Sequence, residues 1–327
     1  MNRNFVRVIK SIVILVVAMI GICTTAQAKA VDSCKFLFDG QGIATEGLSD
    51  LLDEAKTKIQ SPKNIYNVDD SPDVEKWRTH PGVERWDLEL PNKIKNSANS
   101  IIDICDNLGM KEKVLPKNSS YSGVLFLGAS FKTVVNRLEF YTKLLNEGVI
   151  SKELKVWVLT GERKLNKKVG ETKENFLELI PSGEKPLPLP RNEFEMIKYV
   201  FHYKMPKNVR VGYIYSKKDP NHTRATTMST VHEFAKRIPE SSQTEHYLAI
   251  SNQPYVDYQK SAIYLALEKM GRKNIEVHVI GGRAKENDNL NNRAAILLDT
   301  VSKIISNCKK LFDLSEGSEN KKLCSSS

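Results

Sequence analysis

From residue 122 onward the chain alternates two apolar patterns. Residues 124–127 form a short unbroken apolar run closed by Gly128, and Val134, Leu138, Tyr141, Leu144 and Leu145 then recur at helical spacing up to Gly148. A short apolar run bounded by glycine reads as a buried strand, and the 3.6-residue recurrence after it as a helix. The pair repeats. Val156, Val158 and Leu159 close at Thr160 and Gly161, and after a long excursion Phe194, Ile197, Val200 and Phe201 make a second helical face. Val209, Val211 and Ile214 alternate as a third strand, followed by the helical set Met228, Val231, Phe234 and Ala235. Residues 247–250 lead into a helix over 258–270 stopped by Gly271. Ile275, Val277 and Val279 end at Gly281 and Gly282, before a last helix over 294–305.

Five strands, each followed by a helix, require parallel pairing, right-handed crossovers and helices on both faces. The expectation for residues 121–307 is therefore an α/β fold, a Rossmann-like three-layer sandwich with a mainly parallel five-stranded sheet. A closed barrel would need eight such units. Residues 29–120 read as an extension of helix and loop, with one helical set at Leu48, Leu51, Leu52 and Ala55. A stronger set at Ile94, Ala98, Ile101, Ile102, Cys105 and Leu108 stops at Gly109. Between them, residues 61–91 form an irregular connection carrying Trp77 and Trp86, aromatics that fasten such a loop to its own domain more often than they bind a sugar. The excursion 163–191, with Pro181, Pro186, Pro188 and Pro190, is long enough for a lid or a surface insertion. Residues 308–327 read as a polar tail.

The first residues change the picture of where the protein works. Arg3, Arg7 and Lys10 precede an apolar run over 11–23, and Ala26, Gln27 and Ala28 supply the small-residue pattern a signal peptidase needs. Residues 1–28 are expected to be a cleaved export signal, with an uncleaved anchor as the alternative; no later stretch is long and apolar enough to cross a bilayer. Cleavage removes three positive charges and no acid, so the net charge of +10 falls to +7. The basic residues are scattered among acids and come with no zinc-ligand spacing or RNA-binding aromatic signature, which argues against nucleic acid as partner. Cys34, Cys105, Cys308 and Cys324 remain, an even set that predicts at least one disulfide in an exported protein, its pairing open among three. None has C-x-x-C spacing, so a cysteine metal site is not expected. Asn118 and Asn221 stand in glycosylation sequons.

Ligands of open parallel sheets bind beyond the carboxyl ends of the strands. Here those ends read Gly128-Ala129-Ser130, Thr160-Gly161-Glu162-Arg163, Tyr215-Ser216-Lys217, Ser251-Asn252-Gln253 and Gly281-Gly282-Arg283, all small, polar or charged. Gly128 and Ser130 suit a turn that cradles an anion at a helix start. Arg137, seven residues on, could reach inward to a phosphate or pair with a surface acid. Arg224, Thr226 and Thr227 place a guanidinium and hydroxyls at the start of the third helix, and Ser251, Asn252, Gln253 and Tyr255 cluster after the fourth strand. Thr160, Gly161 and Arg163 complete the candidate ligand set, with Glu162 and Glu193 as acid/base carboxylates. No GxGxxG, P-loop, HExxH or GxSxG motif is present. No cofactor follows from these residues, and a protein partner is not identified; an anionic small molecule is the expected ligand.

The order of these pieces, FLGAS with Arg137, VLTGERK, NEFEM with Glu193, TRATTMST and AISNQPY, resembles the bacterial YdcF/ElyC/SanA-like envelope family over residues 122–305. Thr227 and Tyr255 stand near the places of that family's usual asparagine and histidine. The resemblance implies a Rossmann-like domain at the cell envelope with a crevice at the strand ends, acting in cell-wall or lipid-carrier metabolism, with a lipid-linked phosphate as one form of ligand. The function expected is an exported envelope protein that binds a phosphate-bearing or nucleotide-like small molecule, as an enzyme or without catalysis. The alternative is a noncatalytic scaffold that meets a partner through the Trp77 and Trp86 region. A methyltransferase-like binder of S-adenosylmethionine has only Glu162 to clamp a ribose.

Overall fold

The computed structural model describes residues 32–79, 85–117, 120–220, 224–285 and 289–324, without the side chains of Trp86 and of residues 316–324. The export segment and both sequons lie outside the described residues. Helices α1 (Glu46–Glu54), α2 (Ile65–Asp69), α3 (Pro72–Glu75) and α4 (Ala98–Cys105) precede the sheet. Within and after it come α5 (Phe131–Asn146), α6 (Lys173–Leu177), α7 (Glu193–Lys204), α8 (Thr227–Ala235), α9 (Val256–Lys269) and α10 (Leu290–Cys324).

Strands β1 (Gly123–Leu127), β2 (Val156–Gly161), β3 (Val211–Ser216), β4 (Glu245–Asn252) and β5 (Ile275–Gly282) form one sheet in the order β3-β2-β1-β4-β5. All pairings are parallel, with Phe126 opposite both Val158 and Ile250. The central strand β1 is buried along its whole length, because both faces are covered; hence it reads as a continuous apolar run and not as an alternation. The pleat then divides its residues. Val124 and Phe126 pack with Leu138 and Tyr141 of α5 and with Ile197 and Val200 of α7. Leu125 and Leu127 pack on the other face with Val231 and Phe234 of α8 and Ile263 of α9. The ring of Phe126 meets Phe201 edge-on at 4.8 Å, and deleting so enclosed an aromatic costs about 3–5 kcal/mol.

A third core lies outside the sandwich. Leu48, Leu52, Ile101 and Cys105 pack with Leu298, Val301 and Ile305 of α10, and Leu265 of α9 joins them. The last helix therefore closes over the N-terminal extension and α9. It also continues past Ile305 to Cys324 with Cys308, Leu311 and Phe312 buried, where a polar tail was expected from 308. Cys34 and Cys308, Cα atoms 5.9 Å apart, form a disulfide that ties the start of the extension to this helix, and Cys105 is a buried free thiol. Trp77 is buried in the same core.

The excursion after β2 is partly packed: α6, capped by Thr172, sends Phe176 into the core of α5 and α7, and Leu179 follows it. Residues 185–189 run exposed along the surface. Among the described residues no helix is long and apolar enough to cross a membrane.

Candidate functional site

A cavity of about 420 Å³ opens at the carboxyl ends of β1 and β2, lined by Gly128, Ser130, Arg137, Gly161, Arg163, Glu193, Arg224, Thr226, Thr227 and Tyr255. Two glycines make room for it. A Cβ on Gly128 would stand 2.6 Å from Glu193 Oε1 and 2.8 Å from the Leu159 carbonyl oxygen; one on Gly161 would stand 2.3 Å from Ala225 Cβ. Both turns are thus glycine because neighbouring chain approaches closer than any side chain permits.

Glu193 opens α7, where Asn192 caps the helix by accepting from Glu195 N. Its carboxylate accepts from Arg163 Nε at 2.5 Å and lies 3.5 Å from Thr160 Oγ1, a hydroxyl wholly buried beneath the cavity. The same guanidinium holds Glu171 through Nη1 at 2.9 Å and Nη2 at 2.5 Å. Burial pushes the Glu193 carboxyl above the ordinary range, and Arg163 opposes that shift. One arginine between two buried carboxylates makes a rigid floor, and places a protonatable group at the cavity wall.

Arg137 does not pair with a surface acid. It is buried, donates from Nη1 to the carbonyls of Leu127 at 2.7 Å and Gly128 at 3.2 Å, and from Nε to Asn252 Oδ1 at 2.9 Å. It clamps the end of β1 to the end of β4. Burial draws its pKa down to about 10, with Tyr255 opposing, which leaves it charged at neutral pH.

Helix α8 begins with Thr226 as cap in a reciprocal capping box with Ser229, and Thr227 Oγ1 donates to Gln259 Oε1 at 2.7 Å. Its N-terminus opens on the cavity beside the exposed Arg224. Glu162 is not in this lining. It extends toward the edge strand, where its carboxylate accepts from Lys218 N at 3.3 Å, because β2 hands its ladder outward to β3 at this point. Ser251, Asn252 and Gln253 line a second cavity at the ends of β4 and β5, which shares Arg137 and Tyr255 with the first.

The roof comes from parts of the chain that carry no site signal of their own. Arg85 stands over the rings of Tyr255 and Tyr258, 4.3 and 5.3 Å from their centroids, a cation held by two aromatic faces. Asp299, fully buried, accepts from Thr79 N at 2.8 Å and from Lys303 at 2.8 Å, and approaches Arg85 Nε at 3.4 Å. Burial, then the charge of Arg85, lowers the Lys303 pKa to about 8 against the pull of Asp299. Arg85 lies within the irregular connection and Lys303 sits deep in α10; only the third core brings them together.

Among the described residues, five cations line the first cavity, Arg85, Arg137, Arg163, Arg224 and Lys303, and they outnumber the acids that meet them: Glu193 in the lining, with Glu171 and Asp299 behind it. Such a lining attracts an anion, and the positive end of α8 adds to it. Among the described residues no group of three histidine, cysteine or acidic side chains could hold a metal ion. Comparisons of this chain with protein-family models, with curated proteins and with solved structures give no match.

Proposed function

We propose that this chain is an exported α/β protein that binds a phosphate-bearing small molecule in the cavity at the ends of β1 and β2. The observation that carries the reading is the excess of cations over carboxylates in that lining, at the strand ends of a parallel sheet and at a helix N-terminus. Arg224 and Lys303 would hold the anion, the hydroxyls of Thr226 and Ser130 would orient it, and Arg163 would act through Glu193. Export is supported by the pattern of residues 1–28 and by the buried Cys34–Cys308 disulfide, a bond that persists in oxidising compartments. The likeness to the YdcF/ElyC/SanA-like envelope family points the same way.

Glu193 is the group placed for proton transfer should the bound ester react: it is buried, held by Arg163, and burial raises it above the ordinary carboxyl range. Glu162, directed away from the cavity, has no such position. The scaffold reading loses one of its two anchors, since Trp77 is buried in the protein's own core.

Calorimetric titration of the mature chain with inorganic phosphate and pyrophosphate tests the reading. Arg224→Ala removes a charge-assisted contact without disturbing the core, and binding weaker by roughly tenfold is expected, the loss of about 1.4 kcal/mol. Identical titrations of the variant and the parent chain would remove this cavity as the anion site.

A further inference from the structure

The second cavity, about 510 Å³, lies across the wall made by Arg137 and Tyr255 and differs in character from the first. Its lining includes Met110, Phe140, Pro254 and Leu297. Phe140 is half-buried beside Gly282, whose absent side chain would stand 3.7 Å from the ring, and both residues line the hollow. The cations at this end have partners: Arg283 lies 3.2 Å from Glu112, Lys285 donates to Asn136 at 2.8 Å, and Arg293 makes a two-oxygen contact with Asp106 at 3.0 and 2.9 Å.

Two residues of this lining, Gln253 and Ser251, carry buried side-chain oxygens without a partner. Gln253 is 3 % exposed, and its Nε2 donates to the carbonyls of Gly109 at 2.8 Å and Glu112 at 3.1 Å. Two carbonyl acceptors fix which way the amide is turned, so Oε1 is an acceptor, and it has no donor. Ser251, two residues earlier and fully buried, likewise leaves Oγ without a partner. An unsatisfied buried polar atom costs about 1–3 kcal/mol, and these two belong to residues that line one cavity, two positions apart.

The topology joins the two hollows. Strand order turns between β1 and β4, with α5 and α9 leaving on opposite faces, and a crevice opens at such a switch point. Arg137 bridges that very junction, bonded to both strand ends. We infer that one ligand spans both cavities, its phosphate in the first and, in the second, an organic part that presents hydrogen-bond donors and a flat face to Phe140. That is the chemistry of a sugar phosphate or a nucleoside phosphate. The inference rests on the anion reading of the first cavity.

The test is titration of the mature chain with inorganic phosphate, glucose 6-phosphate and adenosine monophosphate. At least one of the two esters binds tighter than inorganic phosphate by about tenfold or more, and the arm that does so separates sugar from nucleoside. Phe140→Ala and Gly282→Leu, one opening and the other filling the second cavity, each erase that margin while phosphate affinity stays unchanged; melting curves matching the parent chain show that they fold. Esters that bind no tighter than phosphate, or a margin that survives both variants, overturn the inference and leave the first cavity standing. Absence of binding by all three probes overturns the anion reading, and this inference with it.

Discussion

Gly161 and Arg163, two residues apart, show how closely the cavity floor is specified. With Ala225 Cβ where a Gly161 side chain would begin, Gly161→Ala must push back the segment that carries Arg224 and Thr226. Overpacking of this kind costs about 1–3 kcal/mol, read from the urea midpoint at unchanged slope, and anion binding should weaken with it. Arg163→Met is the harsher change, because Glu171 and Glu193 would stay buried without their shared cation. A loss of about 3–5 kcal/mol at pH 7 is expected. Glu193 already titrates above its unfolded range, and losing Arg163 raises it further. A raised carboxyl favours the folded state below its unfolded pKa and loses that advantage as pH rises through the folded value. Acidification should therefore restore part of the variant's stability; a loss that does not change with pH would contradict the assignment.

Lys303 gives a signal of opposite sign. Its folded pKa of about 8 lies below the unfolded value of about 10.4, so between those two the unfolded chain binds the extra proton and stability rises with pH. Anion affinity should fall over the start of the same window, because the cavity loses a charge. Lys303→Met should flatten the fall between pH 7 and 9, as followed by titration calorimetry with inorganic phosphate.

At the scale of elements, α10 is the surprising one. It spans about 52 Å at the usual rise per residue, carries Asp299 and Lys303 into the roof, and is tied by Cys308 to Cys34 at the start of the extension. The disulfide closes a sequence separation of 274 residues, so its loss in Cys308→Ser should cost about 3–5 kcal/mol in chemical denaturation. Anion binding should weaken too, since the same helix holds the roof. Full stability in the variant would mean that the apolar core of Leu298, Val301 and Ile305 holds the helix unaided. The pattern over 294–305 announced a helix but not its partner, because an apolar stripe states that a face is buried and not what covers it. The polar composition after Asp313 suggested a tail for the same reason.

At the scale of the molecule, the strand order places the clamp of Arg137 between two cavities of different chemistry. The strands and their parallel pairing were legible in the chain: β1 is unbroken and apolar because two helical layers cover it, and each strand closes on residues that turns require. Gly128, Gly161, Glu193 and Arg224 were legible as strand-end and helix-start residues, since turn chemistry is local. The destination of Arg137 was not, because its acceptors are two backbone carbonyls and an asparagine from β4, and carbonyls leave no mark on a sequence. Glu162 misled because sequence neighbours at a strand end diverge once the ladder stops.

What the amino-acid sequence by itself determined is the run of strand and helix units and the polar character of their ends, since periodicity and turn formation depend on residues within one or two turns of each other. The tertiary structure decided which ends share a cavity, that Cys34 pairs with Cys308, and that Arg85, Asp299 and Lys303 roof the site. Each of those depends on distances between segments far apart in the chain, and only the packing of the third core against the sandwich fixes them.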